Sequence, residues 1–211
     1  MDRIYYYKLT VDDGGAPCVQ DELLSLAICK PFIRMSADRG ATIFGFAANS
    51  LDPSNRLLYV AVVTDKRCHG LYYEEVEFAG RSDCIYARRG NRLVRRTGAR
   101  YHTESDLVHD LGAHPKYPRA QVLLSKDFRY LGDRGTSRYK EDYAAIKAAV
   151  EGLGRGHRVN HSARLREELL KLKQLVWKST TRMRVGQPLM TASRGHCHRE
   201  RACGIVEGSR S

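Results

Sequence analysis

The sequence lacks the features that mark several common classes of protein. It contains no apolar run near the roughly 18 residues that identify a membrane span. Its first residues, MDRIYYYKLT, lack the basic and then apolar pattern of a secretion signal. Six cysteines in 211 residues are too few for a scaffold held together by disulfides. We therefore expect a soluble, cytoplasmic protein with reduced thiols and no membrane partner.

Familiar nucleotide-binding and zinc signatures are also missing. There is no Gly-x-Gly-x-x-Gly after a strand, no phosphate loop ending in Gly-Lys-Ser or Gly-Lys-Thr, and no His-Glu-x-x-His. The closest grouping of metal-binding side chains is His196, Cys197, His198 and Cys203, which lacks the paired spacing of a zinc site. The sequence therefore predicts no metal site, and it identifies no cofactor.

A basic surplus is present, and it is confined to the C-terminal part of the chain. The whole sequence has 36 Lys and Arg against 24 Asp and Glu, a formal charge of +12. Residues 1–87 contain 9 basic and 12 acidic side chains, and residues 88–211 contain 27 and 12. Such an asymmetry is typical of proteins that contact polyanions, so nucleic acid is the partner we expect. A solvated basic surface is the alternative.

Strand patterns dominate the first two thirds of the chain. Aromatic and β-branched runs predict strands over residues 3–11, 41–47, 56–64, 83–87, 120–125 and 128–131. Apolar spacing predicts helices over residues 22–29, 137–152 and 162–177, and Ser162 is the N-cap we expect for the last of them. Because the strands lack regular intervening helices, the fold class we expect is α+β. It would have a mostly antiparallel curved sheet, or a small barrel similar to PUA-like barrels, with flanking helices.

The chain is expected to form one folded domain followed by a tail. The hydrophobic fraction of 42% suits a single core, which we place in residues 1–178. The polar, Arg-rich residues 179–211 form a basic tail that we expect to be disordered. The helix over residues 162–177 has an apolar face that either docks on the sheet or binds a protein partner. That face consists of Leu165, Leu169, Leu172 and Val176.

Four polar motifs beside predicted strands or turns are candidates for chemistry. The first is CKPFIR, in which Pro31 forces an extended or turn backbone. Lys30 and Arg34 therefore emerge at a sharp exit, where they can contact phosphate. Cys29 acts as a nucleophile only beside a base, and the sequence places none next to it. We interpret Cys29 as a buried structural thiol, with the nucleophile as the alternative.

The second and third motifs supply further charged and titratable groups. Arg81 and Asp83 share one face of a predicted strand, where Arg81 can bind phosphate and Asp83 can act as acid or base. The alternative is that they pair with each other. His102, in the third motif, is a candidate acid or base because histidine titrates near neutral pH. A structural or solvated histidine is the alternative reading of His102.

The fourth motif, SKDFRYLG, follows an apolar strand. Asp127 can act in acid–base chemistry or accept a hydrogen bond from the edge of a base, and Arg129 can bind phosphate. Phe128 or Tyr130 can stack on an extruded base. The alternative places both aromatic rings in the core and Asp127 in a cap or turn.

Taken in order, these motifs resemble a known family. The segments that carry the resemblance are LAICKPFIR at 26–34, Gly45-Phe46, RSDCIY at 81–86, Tyr101-His102 and VLLSKDFRYLG at 122–132. They are similar to nucleotide modification associated domain 2, a family of bacteria and phages, over Ile4 to Tyr143. The resemblance implies a role in making or handling hypermodified DNA bases.

Three hypotheses about function follow. The first is an enzyme or accessory factor that acts on a modified pyrimidine in DNA or on its nucleotide precursor. Its candidate site residues are Asp83, His102 and Asp127 for catalysis and Lys30, Arg34, Arg81 and Arg129 for phosphate binding. The second is a non-catalytic reader that stacks a modified base on Phe128 or Tyr130. The third is a docking subunit of a modification complex.

Overall fold

A computed structural model describes residues 2–190 of the protein, and these residues contain eleven strands and five α-helices. In chain order the strands are β1 (Ile4–Leu9), β2 (Cys18–Gln20), β3 (Leu23–Leu26), β4 (Thr42–Ala47), β5 (Leu57–Val62), β6 (Asp65–Arg67), β7 (Tyr86–Arg89), β8 (Arg92–Arg95), β9 (Val122–Ser125), β10 (Asp127–Tyr130) and β11 (His157–Arg158). The helices are α1 (Pro31–Ser36), α2 (Leu107–Leu111), α3 (Tyr139–Asp142), α4 (Ala144–Glu151) and α5 (Ala163–Ser179). The expected α+β class is confirmed.

The central sheet has the strand order β10-β5-β4-β1-β11. β1 and β4 run parallel, and the other neighbouring pairs are antiparallel. Because successive side chains of a strand point to opposite faces, Tyr5 and Tyr7 face one core and Ile4 and Tyr6 face another. Both faces of the central sheet are therefore covered.

A second, antiparallel sheet packs over the face that carries Tyr5 and Tyr7. Its strand order is β2-β3-β9-β6, and Leu24, Leu26 and Leu123 share the core beneath it. β7 and β8 form a separate two-stranded hairpin. Each sheet is open at its edges, so residues 2–190 form no closed barrel. The small PUA-like barrel expected as one form of the fold is not found.

Helices cover the opposite face of the central sheet. The Ser162 hydroxyl accepts a hydrogen bond from Leu165 N at 3.3 Å, which caps the start of α5 as its sequence predicts. Leu169, Leu172 and Val176 are buried against the sheet, so the apolar face of α5 docks within the chain. No helix among residues 2–190 is both long enough and apolar enough to cross a membrane.

The predicted helix over residues 22–29 is wrong, because this stretch forms β3 and the turn that follows it. β3 hydrogen-bonds to β2 on one side and to β9 on the other. Leu24 and Leu26 enter one core, and Ala27 and Ile28 enter a second core. An apolar run that is shared between two cores has the same spacing in sequence as the apolar face of a helix. This stretch forms a strand because it pairs with the distant strand β9 and with β2.

The first part of the predicted tail contacts the domain. Tyr130 N donates to Met183 O at 2.7 Å, and Asp133 N donates to Gln187 O at 2.8 Å. Met190 N donates to Asp12 O at 2.9 Å. The remaining residues, 191–211, lie outside the part of the chain that the structure describes, and the His-Cys-His group at 196–198 lies among them.

Candidate active site

Cys29 meets two side chains from a distant part of the chain beside the turn between β3 and α1. Cys29 Sγ lies 3.2 Å from His102 Nε2. On the other side of the ring, His102 Nδ1 lies 2.5 Å from Asp110 Oδ2. The carboxylate thus orients the imidazole, whose second nitrogen faces the thiol. Cys29, His102 and Asp110, here called the triad, have the relative placement of nucleophile, base and orienting acid in covalent catalysis.

The backbone around Cys29 has an unusual conformation. Cys29 has a φ of 55° and Lys30 a φ of 39°, both in the left-handed region, and Pro31 then begins α1. Each such non-glycine residue costs roughly 1–2 kcal/mol. A sharp strand-to-helix turn of this kind also presents the nucleophile of α/β-hydrolases. His102 shares the feature with a φ of 54°. Five other non-glycine residues of the described chain also have a positive φ, so the contacts of Cys29 and not its backbone conformation define the site.

A short capped segment returns the chain from His102 to Asp110. Thr103 and Asp106 form a capping box, in which the Thr103 side chain accepts from the Asp106 backbone and the Asp106 side chain accepts from Thr103 N. The capped turn leads into α2, which carries Asp110. Local capping therefore folds the acid back onto the histidine eight residues before it.

Asp110 is fully buried and holds several groups at once. Its Oδ1 accepts from Cys29 N at 3.1 Å, and its Oδ2 also accepts from Tyr86 Oη at 2.8 Å. Burial acts to raise the pKa of Asp110, but the hydrogen bond from His102, the charges of His102 and Arg34 and the hydrogen bond from Tyr86 outweigh it. The pKa of Asp110 therefore lies below its ordinary value, and the carboxylate is ionised at neutral pH.

Arg34 contacts the triad from within the core, and its side chain is 0% exposed. Its guanidinium donates to the carbonyl oxygens of Cys29 at 2.7 Å, Asp110 at 2.8 Å, Arg119 at 2.8 Å and Gln121 at 2.7 Å. Its Nη2 also lies 4.0 Å from Asp110 Oδ1. All four hydrogen bonds join Arg34 to carbonyl oxygens of the domain itself, and the phosphate contact suggested by the sequence stays a prediction.

Lys30 and Tyr7 lie next to the triad. Lys30 Nζ is 5.2 Å from the centroid of the Tyr7 ring, and Tyr7 Oη is 2.8 Å from Tyr59 Oη. Burial, the neighbouring Tyr59 and the nearby Cys29 raise the pKa of Tyr7 well above its ordinary value. The hydroxyl of Tyr7 therefore stays protonated at neutral pH. The phosphate role of Lys30 stays a prediction.

An exposed aromatic side chain lies on α1, three residues after Cys29. Phe32 is 60% exposed, and the Arg119 guanidinium lies 5.6 Å from its ring centroid. Phe128 and Tyr130, the rings expected from the sequence to stack on a base, have exposed fractions of 0% and 1%. Both rings belong to the core, which was the alternative for them, and neither presents a face to a ligand in this structure.

Arg81 and Asp83 form a separate buried cluster. Arg81 Nε lies 3.6 Å from Asp83 Oδ1, so the two side chains pair with each other. Asp83 also accepts from Ser25 Oγ at 2.5 Å and from Tyr72 Oη at 2.6 Å. Burial raises the pKa of Asp83 despite the opposing effects of Arg81 and these hydroxyls. The cluster ties β3 to the segment before β7, and its contacts are internal.

Asp127 and Arg129 lie in a third place, where β10 meets the end of α5. Asp127 Oδ1 accepts from Trp177 Nε1 at 2.9 Å, and the Arg129 guanidinium lies 4.8 Å from the Trp177 ring centroid. Arg129 Nε also donates to Thr180 O at 2.8 Å. Of the three catalytic candidates from the sequence, His102 alone is a member of the triad.

Two members of the triad were not among the catalytic candidates from the sequence. Cys29 was interpreted as a structural thiol with the nucleophile as the alternative, and Asp110 was not singled out. Cys29 and His102 are 73 residues apart, so no spacing motif joins them. The available signal was the Cys-Lys-Pro turn after an apolar strand. Among residues 2–190, no three His, Cys, Asp or Glu side chains are grouped so as to hold a metal ion.

The fold and site together define an α+β domain with a cysteine–histidine–aspartate triad. In comparisons with known proteins, the family model of nucleotide modification associated domain 2 matches residues 1–195. The chain therefore belongs to this family, as its motifs suggested, and the match includes every residue of the triad. No curated protein and no solved structure matches the chain.

Proposed function

We propose that the protein is an enzyme of nucleotide or DNA base modification in which Cys29 is the nucleophile and His102 is the general base. The observation that carries the proposal is the continuous contact from Cys29 Sγ to His102 Nε2 at 3.2 Å and from His102 Nδ1 to Asp110 Oδ2 at 2.5 Å. The family relates the chain to nucleotide modification, and the triad supplies the chemistry.

The reaction class that this geometry supports best is acyl or amide group transfer. His102 Nε2 takes the thiol proton while Cys29 sulfur bonds to a carbonyl carbon, and His102 returns the proton to the leaving nitrogen or oxygen as its bond to that carbon breaks. Water or a second nucleophile then attacks the same carbonyl carbon and gives a proton to His102. The bond from that carbon to sulfur breaks, and Cys29 regains the proton from His102. Asp110 keeps the imidazole in the required orientation and stabilises its charged form.

The substrate we propose is a modified pyrimidine carrying such a group, either in DNA or as a nucleotide precursor. The exposed ring of Phe32 offers a stacking surface next to the turn that holds Cys29. Arg119 lies over that ring, and Lys30 follows the nucleophile directly. These two cations are the partners we assign to the phosphate of the substrate.

The proposal is tested in cells that carry the complete modification system. The full chain is replaced by Cys29→Ser, by His102→Ala or by the matched control Cys68→Ser, and DNA base composition is measured by mass spectrometry. Loss of the modified base with the first two variants, and its retention with Cys68→Ser, is expected. Unchanged base content with Cys29→Ser overturns the catalytic role and favours the non-catalytic reader.

A further inference from the structure

A cleft of about 450 Å³ opens at the carboxyl ends of the parallel strands β1 and β4. It is lined by Lys8, Thr10, Ser50, Glu151 and the loop 152–156, which has the sequence GLGRG, together with Ala48 and Asn49. Lys8 follows Tyr7 in β1, so it points to the face of the sheet opposite Tyr7 and the triad. Carboxyl ends of adjacent parallel strands are frequent ligand positions in proteins.

Two cations, Lys8 and Arg155, and one carboxylate, Glu151, line the cleft, so its formal charge is positive. Lys8 Nζ donates to Asn49 Oδ1 at 3.3 Å, and the exposed Arg155 lies in the loop. Lys140, which is close enough to Lys8 to repel it, pairs with Glu151 at 3.2 Å. Burial and the charge of Lys140 lower the pKa of Lys8, and Glu151 opposes them. A bound anion would relieve this repulsion.

The backbone of the loop 152–156 is accessible from the cleft side at Gly154. A Cβ atom built at Gly154 meets no atom within 4 Å, and φ at this residue is not in the left-handed region. Neither packing nor backbone conformation therefore requires glycine there. A glycine without such a requirement leaves room for a ligand to approach the backbone closely.

We propose that this cleft binds a phosphate group, with Lys8 and Arg155 as its cationic partners and the backbone at Gly154 beside it. The hydroxyls of Thr10 and Ser50 are further donors at the wall of the cleft. This inference does not rest on the thiol chemistry of Cys29. A nucleotide and the backbone of a nucleic acid offer the same phosphate chemistry.

The test is calorimetric titration of the full chain with pyrophosphate at low salt. We expect binding that weakens about tenfold or more in Lys8→Ala and in Arg155→Ala, as for the loss of a charge-assisted hydrogen bond. Gly154→Ala is expected to weaken binding as well, because the methyl group occupies the approach to the backbone. The matched control is Gly80→Ala, since a Cβ at Gly80 also meets nothing within 4 Å.

Two competition arms identify the source of the phosphate. Displacement of pyrophosphate by a nucleoside triphosphate alone indicates a free nucleotide, and displacement by a short DNA duplex indicates a nucleic-acid backbone. Absence of pyrophosphate binding overturns the inference, and so does equal binding by wild type, Arg155→Ala and Gly154→Ala. Cys29 alkylation, measured on the same variants, is expected to stay unchanged, so failure of the cleft is distinguishable from failure of the triad.

Discussion

Asp110 contacts Cys29 in two ways, through the backbone and through the histidine. One carboxylate oxygen accepts from Cys29 N at 3.1 Å, and the other lies 2.5 Å from the imidazole that faces the Cys29 thiol. A single buried side chain therefore sets the position of the nucleophile and the orientation of its base. Such preorganisation is what covalent catalysis requires of its supporting residues.

Asp110→Asn is expected to impair both stability and thiol reactivity. Asparagine has one oxygen that accepts hydrogen bonds and one nitrogen that only donates them. Its nitrogen must face either Cys29 N–H or the donors of His102 and Tyr86, so at least one buried hydrogen bond is lost. The expected loss is roughly 1–3 kcal/mol in the free energy of unfolding. Urea denaturation measures it, with the exposed Asp142→Asn as control. Equal stability of the two variants would show that Asp110 is not the organising residue.

Acid titration should reveal the same carboxylate. The pKa of Asp110 is lowered on folding, mainly because the contacts from His102 and Arg34 outweigh burial. Its ionised form therefore stabilises the fold fully above its ordinary pKa of roughly 4, and this contribution is lost as pH falls through the lower folded value. Wild-type stability, measured by urea denaturation at a series of pH values, should fall over this range by more than that of Asp110→Asn. Parallel curves would contradict the assignment.

Arg34→Lys separates positioning from phosphate binding. Lysine keeps the positive charge but lacks the planar group that reaches four carbonyl oxygens. We expect a loss of at least about 1.5–3 kcal/mol of unfolding free energy, the value of one charge-assisted hydrogen bond. The control is Arg89→Lys, on the exposed end of β7. Unchanged stability together with weakened nucleotide binding would restore the phosphate role suggested by the sequence.

Phe32→Ala tests the stacking surface. Because Phe32 is 60% exposed, its truncation should change the unfolding free energy by about 0.5 kcal/mol or less. Stacking on an aromatic ring is worth about 1–3 kcal/mol per base, so affinity for single-stranded DNA or a pyrimidine nucleotide should fall about tenfold. Fluorescence anisotropy measures the affinity. The control is Val76→Ala, because Val76 is 89% exposed. Equal affinities would exclude Phe32 from binding.

Local patterns in the sequence predicted much of the fold. The β-branched and aromatic runs at β1, β4 and β5 form strands, and Ser162 caps α5, because these signals act over a few residues. The stretch at β3 differs because its partners, β2 and β9, override the helical spacing. Predicted as one helix, residues 137–152 divide into α3 and α4 at Tyr143.

The site was harder to predict than the fold. Phe128 and Tyr130 lie two residues apart in β10, a spacing that suits rings in a core and rings on a binding surface equally. Their burial in the structure places both rings in the core. Cys29 and Asp110 lack any sequence pattern that links them to His102, because a triad is assembled in space by the tertiary fold. His102 and Cys29 each had a local signal, the near-neutral titration of histidine and the Cys-Lys-Pro turn, and Asp110 had none.

Selective reactivity of Cys29 is the most direct measure of the triad. Burial raises the pKa of Cys18 and of Cys84 to about 11, so at pH 7.5 both thiols stay protonated and react slowly. Cys68 is half-buried like Cys29 and is the matched reference thiol. Iodoacetamide alkylation of the full chain, followed by peptide mass spectrometry, gives the rate at each cysteine.

We predict that Cys29 is alkylated at least about tenfold faster than Cys68 and that His102→Ala removes this difference, since the thiolate is the reactive form. The exposed His69→Ala is the control and should leave the rate at Cys29 unchanged. Equal rates at Cys29 in wild type and His102→Ala would contradict an activated thiol, and with it the proposed enzyme.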